Sequence, residues 1–140
     1  MKVLYTAHAA ASGGRDGSVK SSDGVVDVKL TKPKGLGGPE TAGTTNPEQL
    51  FACGYSACFA GAVGFVAQQK KIALNGVEVN ATVHIGMQDA GGLGLSAELA
   101  VRLPGIERSV AEELVHAAHQ VCPYSKATRN NIEVKLSVLD

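Results

Sequence analysis

The chain carries no excess of charge of either sign. Thirteen lysines and arginines balance thirteen aspartates and glutamates, so the formal net charge is zero. Proteins that bind nucleic acid or anionic membranes concentrate positive charge, because phosphate groups dominate the affinity of such complexes. The sequence therefore predicts neither a nucleic-acid partner nor attachment to a membrane.

Other signals of function are missing as well. The 17 glycines do not fall into the spacings of phosphate-binding loops, and no segment is repeated or of low complexity. The apolar part of residues 1–9 is too short and too polar for a secretory signal, which predicts a cytoplasmic protein. In the cytosol the three cysteines are held reduced, so we expect any disulfide between them to be transient and catalytic.

One long uncharged stretch dominates the sequence. Residues 50–67 contain no charge, Asn46 is suited to cap a helix, and Pro47 suits the first helical position. Eighteen uncharged residues just reach the length of a membrane span, but the many Ala, Gly and Ser favour a buried core helix. A domain of 140 residues has little else to wrap such a helix, so burial against a second copy of the chain is expected.

The other elements are predicted from alternation and turn signals. The expected strands lie at 2–9, 18–20, 25–30, 77–87, 93–103 and 132–138. The first three form an antiparallel meander. This order indicates an α+β fold in a single domain spanning residues 1–140.

Two further features of the sequence are a helical region in the second half of the chain and a long connection before the central helix. A second helix is predicted over 106–120, with Ser109 and Glu112 at capping-box spacing, followed by a helical turn at 124–128. Residues 33–45 show no periodicity, so this connection either shapes a site or is an exposed linker.

Two cysteines lie beside helix features. Cys58 is inside the uncharged helix, where apolar surroundings by themselves raise the pKa of a thiol and leave it inert. Cys122 precedes Pro123 at a predicted helix start, where free N–H groups favour a thiolate. The two thiols are therefore either a redox pair or ordinary buried cysteines. Cys53 lies about 140° from Cys58 around a helix and is predicted to be a packed small side chain.

A reactive thiol in an apolar site needs a nearby cation to stabilise its thiolate form. Arg15, in a glycine-rich turn, is either that cation or a solvated surface residue. Glu48, in the first turn of the central helix, is either a partner for Arg15 or compensation for the helix dipole. The residues alone leave both alternatives open.

Five sequence blocks together resemble one protein family, the organic hydroperoxide resistance (Ohr) branch of the OsmC/Ohr proteins. The blocks, which recur in order along nearly the whole chain, are GGRDG at 13–17, TNPEQLFA at 45–52, ACF at 57–59, AAHQVCPYS at 117–125 and ATR at 127–129. The resemblance implies an OsmC/Ohr-like fold assembled as an intertwined homodimer, with a site in each half at the subunit interface.

The resemblance also implies a thiol peroxidase that reduces organic hydroperoxides. By motif position Cys58 is similar to the peroxidatic cysteine, Cys122 to the resolving cysteine, and Arg15 and Glu48 to the pair that polarises the site. A dihydrolipoyl-type dithiol is the implied reductant, and neither a cofactor nor a metal is expected. The candidate walls for an organic tail are Leu36, Leu50, Phe51, Phe59 and Phe65.

One distance along the central helix is difficult to reconcile with Glu48 and Cys58 sharing a site. Glu48 and Cys58 are ten residues apart, which is about 15 Å along a straight helix. Either the helix bends near Gly54, or Arg15 spans the distance, or one group comes from the partner subunit.

Three other functions compete with the peroxidase. His116, His119 and Cys122 recur every third residue as a possible metal half-site, but three-residue steps fan around a helix and no second cluster completes it. A thiol-based redox sensor or binding protein would use the same cysteines without turnover. The sister OsmC branch would prefer a different peroxide, and the blocks at 46–50 and 122–125 favour the Ohr branch.

Overall fold

The computed structural model describes all 140 residues, which divide into two units, Met1–Leu50 and Phe51–Asp140. Helix α1, Pro47–Gln69, crosses the boundary between them. Three strands and the connection to α1 make up the first unit, and the second contains most of α1, a second sheet and two further helices.

The first unit holds a three-stranded antiparallel meander. Its strands are β1 (Ala9–Ser12), β2 (Ser18–Ser21) and β3 (Asp27–Lys29), in the order β1-β2-β3. The turn between β1 and β2 contains a short 3-10 helix, Gly14–Asp16, entered through Gly13 at φ 76°, which favours glycine. The predicted meander is therefore present, with Arg15 in its first turn.

Two predicted strand boundaries in this unit are wrong. The first strand begins at Ala9 rather than at residue 2, because β2 ends at Ser21, the partner of Ala9, and offers the earlier residues no strand to pair with. The third strand is shorter than predicted at both ends. At its start the Ser21 hydroxyl accepts the Val26 N–H and the Asp23 carboxylate accepts the Val25 N–H, so the turn uses these groups.

Helix α1 begins as the sequence predicts. The Asn46 side chain accepts the N–H of Gln49 at 2.9 Å, and Pro47 is the first helical residue. The helix continues without interruption through Gly54, the position of one of the three alternatives for bringing Glu48 towards Cys58. By length and composition α1 could cross a membrane, a property that the core helix of a soluble protein shares.

Only one face of α1 is buried. The side chains on that face are Tyr55, Phe59, Ala62, Val63, Val66 and Ala67. The other face carries a row of residues four apart that are exposed in the single chain, namely Cys53, Ala57, Gly61 and Phe65. This single chain therefore does not wrap the helix completely.

The second unit packs α1 against a three-stranded sheet and two helices. The sheet contains β4 (Glu78–Met87), β5 (Leu93–Arg102) and β6 (Val134–Leu139), with β4 antiparallel and β6 parallel to β5. The chain crosses from β5 to β6 through α2 (Arg108–Val121) and α3 (Pro123–Thr128). Wholly buried Leu99 and Val101 from β5 meet Leu114 and Val115 from α2 in the core.

The predicted capping box of α2 is wrong. The cap is Glu107, whose carboxylate accepts the N–H groups of Ser109 and Val110, while Glu112 pairs with Arg108 at 3.0 Å. A carboxylate at the N-cap satisfies the orphan N–H groups and complements the helix dipole, so it substitutes for the serine cap.

Candidate active site

The two thiols at Cys58 and Cys122 face each other across a short gap. Although 64 residues separate them in sequence, their Sγ atoms lie 3.6 Å apart, and both cysteines are unbonded thiols. Cys122 is completely buried and Cys58 is partly buried. A disulfide bond is about 2.05 Å long, so an approach of about 1.5 Å would join them.

The position of Cys122 follows from the residue after it. Because Pro123 disfavours helical geometry in the preceding residue, Cys122 adopts φ −59° and ψ 124°, which ends α2 and starts α3. Cys122 N–H still donates to the Ala118 carbonyl, and its own carbonyl accepts from Lys126. The Cys-Pro pair thus makes a corner, and the buried sulfur lies at that corner.

The surroundings of Cys58 oppose its ionisation on balance. Burial raises the pKa of the Cys58 thiol, and the neighbouring Cys122 thiol raises this pKa further. A backbone hydrogen bond from Tyr124, in the first turn of α3, lowers it. The Tyr124 N–H at this helix start therefore supports the Cys58 sulfur, whereas the sequence predicted that such N–H groups favour a thiolate at Cys122.

Tyr124 is held against α1 by aromatic rings. Its ring is stacked on Phe51, with centroids 6.1 Å apart, and lies 5.8 Å from the ring of Tyr55. Gly54 leaves room for it, because a Cβ there would be 2.9 Å from the Tyr124 hydroxyl. The Phe51 and Tyr124 rings thus form an apolar pair at the segment whose Tyr124 N–H bonds the Cys58 sulfur. Of the predicted apolar walls, Phe59 is wholly buried in the core and Phe65 is half exposed.

Arg15 and Glu48 form a two-fold hydrogen-bonded ion pair within the first unit. Their nitrogen and oxygen atoms are 2.8 and 2.6 Å apart in the two bonds, a geometry that joins the planar guanidinium to a carboxylate. The Glu48 side chain is only 12% exposed, and the hydrogen bond from Arg15 lowers the pKa of its carboxyl. The same bond raises the pKa of Arg15, so both groups are charged at neutral pH.

The four predicted site residues thus form two pairs, one in each unit. Arg15 and Glu48 belong to Met1–Leu50, and Cys58 and Cys122 belong to Phe51–Asp140. That the guanidinium acts on the Cys58 sulfur, directly or through a partner subunit, stays a prediction.

Two other features named in the sequence analysis are Cys53 and the possible metal half-site on α2. Cys53 is exposed in the single chain, so the prediction of a packed side chain is wrong at this level of assembly. His119 and Cys122 do not converge, since the imidazole bonds to Ser125 while the thiol faces Cys58. No group of three or more His, Cys, Asp or Glu side chains is arranged to hold a metal ion.

A buried polar network next to the thiols was missed by sequence reasoning. The Tyr55 hydroxyl lies 3.0 Å from the Ser125 hydroxyl and 3.2 Å from that of Thr128, and His119 Nδ1 lies 2.9 Å from the Ser125 hydroxyl. Burial and the Arg129 charge lower the pKa of His119. The available signal was Tyr55 itself, because a tyrosine inside an apolar helix needs a partner for its hydroxyl.

Comparison with known proteins connects this arrangement to one family. The model of the family described as OsmC-like protein matches residues 38–137. An organic hydroperoxide resistance protein of Xanthomonas axonopodis pv. citri is 54% identical over 138 residues, which is 98% of this chain and 96% of that protein.

Solved structures agree with the sequence match. The crystal structure of an organic hydroperoxide resistance protein from Elizabethkingia anophelis superposes with a TM-score of 0.93 at 51% identity, covering 100% of this chain and 99% of that one. For the organic hydroperoxide resistance protein OhrB of Bacillus subtilis the TM-score is 0.89 at 43% identity, covering 98% and 100%.

Proposed function

Since the chain belongs to the OsmC-like family, in its organic hydroperoxide resistance branch, we propose that it reduces organic hydroperoxides with its own thiols and so detoxifies them. The observation that carries the proposal is the 3.6 Å separation of the reduced Cys58 and Cys122 sulfur atoms. The names of the relatives support a role in peroxide resistance, and the thiol pair supplies a chemistry for it.

The proposed reaction has two steps. The Cys58 thiolate attacks the outer oxygen of R–O–O–H, the O–O bond breaks, and the alkoxide takes a proton to leave as the alcohol R–OH. Cys58 then carries a sulfenic acid. The Cys122 thiol attacks this sulfur, which forms the disulfide and releases water, so the two electrons taken by the peroxide come from the two thiols.

The Arg15–Glu48 pair is proposed to stabilise the anion that this reaction needs. Burial raises the pKa of Cys58, so a thiolate requires a positive neighbour, and none of the groups that shift this pKa is a cation. A guanidinium can balance the thiolate charge and donate hydrogen bonds to the peroxide. Glu48, bonded to Arg15 through both oxygens, would hold the guanidinium in one orientation.

The substrate and the reductant are proposed from the surroundings of Cys58 and from the family. The stacked rings of Phe51 and Tyr124, the latter with its N–H bonded to the Cys58 sulfur, support an apolar tail, such as an alkyl or fatty-acid chain, over hydrogen peroxide. A dithiol of the dihydrolipoyl type is the proposed reductant of the disulfide, and the proposed compartment is the cytoplasm. The proposed catalytic unit is one domain comprising residues 1–140.

Oxidation of the purified protein tests the proposal. One equivalent of cumene hydroperoxide should convert Cys58 and Cys122 into a disulfide, which peptide mass mapping detects, with one equivalent of alcohol released. Added dihydrolipoamide should then sustain turnover, and hydrogen peroxide should be consumed more slowly. A disulfide between Cys58 and Cys53 would overturn the role of Cys122. A single oxidation without turnover would indicate a redox sensor instead.

We further propose that two chains form a homodimer. The row of Cys53, Ala57, Gly61 and Phe65 on α1 is exposed in the single chain, as are Val3, Leu4 and Tyr5 before β1. Burying such apolar surface is favourable at about 25 cal/mol per Å². Sedimentation equilibrium should give twice the 14.4 kDa of the chain. A monomer at micromolar concentration would contradict the proposal.

A further inference from the structure

We propose that a hydrogen bond between His119 and Ser125, tied to α1 by Tyr55, positions Cys122 to resolve a sulfenic acid on Cys58. The inference rests on the proposed peroxidase function and adds three positioning residues to it. None of the three belongs to the thiol pair or to the Arg15–Glu48 pair. Their side chains act on the reaction only through the place that they give to the Cys122 sulfur.

The His119–Ser125 bond closes the corner at which Cys122 lies. His119 is three residues before Cys122, Ser125 is three residues after it, and the imidazole Nδ1 lies 2.9 Å from the hydroxyl oxygen. The bond therefore connects the last turn of α2 to the first turn of α3 across the Cys122-Pro123 break. The Arg129 guanidinium, bonded to the His119 carbonyl, connects the same two segments a second time.

Tyr55 joins this corner to the helix that carries Cys58. Tyr55 is three residues before Cys58 on α1, and Ser125 is three residues after Cys122. The 3.0 Å contact between the Tyr55 and Ser125 hydroxyls is thus one helical turn away from the 3.6 Å contact between the two sulfurs. The two contacts connect the same two segments, so the hydroxyl contact sets the separation at which the sulfurs meet.

Burial makes this network stiff. Tyr55 and Ser125 are wholly buried and Thr128 is 6% exposed, and every buried side-chain polar atom of the chain has a hydrogen-bond partner. Hydrogen bonds shielded from water hold their geometry because the alternative is an unsatisfied polar group. The network therefore restrains Cys122 at the distance from which a small motion forms the disulfide.

Only the second step of the reaction depends on that restraint. Attack on the peroxide is carried out by Cys58, whereas closing the disulfide requires the Cys122 sulfur to move about 1.5 Å along the right direction. Misplacement of a reacting group by about 1 Å can cost about a hundredfold in rate. We therefore expect loss of the network to slow disulfide formation and to leave sulfenic acid formation nearly unchanged.

Two variants and one control test the inference. Ser125→Ala removes the hydroxyl that both His119 and Tyr55 contact, and Tyr55→Phe removes only the tie to α1 while keeping the ring. Ser56→Ala is the matched control, because the Ser56 hydroxyl donates to the Cys53 carbonyl within α1. Each protein is mixed with cumene hydroperoxide, quenched at intervals and analysed by intact mass for sulfenic acid, disulfide and sulfinic acid.

The expected result is a split between the two steps. In Ser125→Ala and Tyr55→Phe the sulfenic acid should form within about twofold of the unmodified rate, while the disulfide should form about tenfold more slowly. Sulfinic acid on Cys58 should accumulate as a consequence. Ser56→Ala should behave as the unmodified protein. Unchanged disulfide formation in both variants, or equal slowing of both steps, overturns the inference.

A second measurement separates this inference from the proposed function. Equilibration of the dithiol and disulfide forms with dithiothreitol involves no peroxide, and the equilibrium constant for the disulfide should fall about tenfold in both variants. If the unmodified protein formed no sulfenic acid, the proposed function would fail while this equilibrium still tested the positioning. An equilibrium constant that is unchanged in Tyr55→Phe and Ser125→Ala counts against the network.

Discussion

Cys58→Ser is expected to lower the rate of organic hydroperoxide reduction by about a thousandfold or more. Serine holds almost no anion at neutral pH, and its oxygen cannot pass through a sulfenic acid, so both the attack and the disulfide are lost. The side chain is partly buried and the change is nearly isosteric, so the fold should be retained. The measurement is kcat/KM with cumene hydroperoxide and a dithiol reductant.

The other two cysteines supply the controls for this result. Cys53→Ser, a nearly isosteric change on the same helix, should keep the rate within about twofold, since the Cys53 thiol is outside the proposed reaction. Cys122→Ser should still release one alcohol per Cys58 in the first turnover but should accumulate the sulfenic acid. Loss of the first turnover in Cys53→Ser would instead show that the attack on the peroxide had been assigned to the wrong cysteine.

Arg15→Ala is expected to slow peroxide reduction by about a hundredfold. The pKa of Cys58 is raised by burial, so removing the positive group proposed to stabilise the thiolate should raise that pKa further. Alkylation of Cys58 by iodoacetamide, followed against pH, should therefore move to higher pH in the variant. Peroxide reduction and alkylation report on the same anion, so both should change together.

An exposed ion pair in the same unit is the control for Arg15. Lys20 and Asp27 are 3.0 Å apart with both side chains more than half exposed, so Lys20→Ala should leave rate and alkylation profile unchanged. The rate of peroxide reduction by Arg15→Lys should lie between the rates of Arg15→Ala and Lys20→Ala, because lysine keeps the charge but not the paired hydrogen bonds to Glu48. A full rate in Arg15→Ala with intact fold would remove Arg15 from the mechanism.

The predicted family and the α+β fold class are confirmed. Local signals explain the accuracy at several elements. Asn46 and Pro47 specify the start of α1 by chemistry confined to its first turn, and β4 alternates in burial from Glu78 to Ile85. Each of these signals is complete within a few residues, so no knowledge of the rest of the chain was needed.

The errors have a common physical origin. Residues 2–8 have apolar strand character, yet a strand forms only where another strand accepts its hydrogen bonds, and β2 ends opposite Ala9. At α2 the predicted cap was Ser109, but Glu107, two residues earlier, accepts the free N–H groups. In both cases the outcome depended on which partner was available to backbone hydrogen-bonding groups, a neighbouring strand for residues 2–8 and a carboxylate for the start of α2.

By itself the sequence determined the balanced charge, the strand and helix order, the capped uncharged helix, and the residues whose chemistry is in question. Only tertiary structure decided that Cys58 and Cys122 meet at 3.6 Å, that Arg15 bonds Glu48 through both oxygens, and that Tyr55 reaches Ser125. Hydrophobic periodicity and turn chemistry depend on residues that are neighbours along the chain, so they can be identified in the sequence. Distances between groups dozens of residues apart depend on how the core packs, and that is settled only when the whole unit has folded.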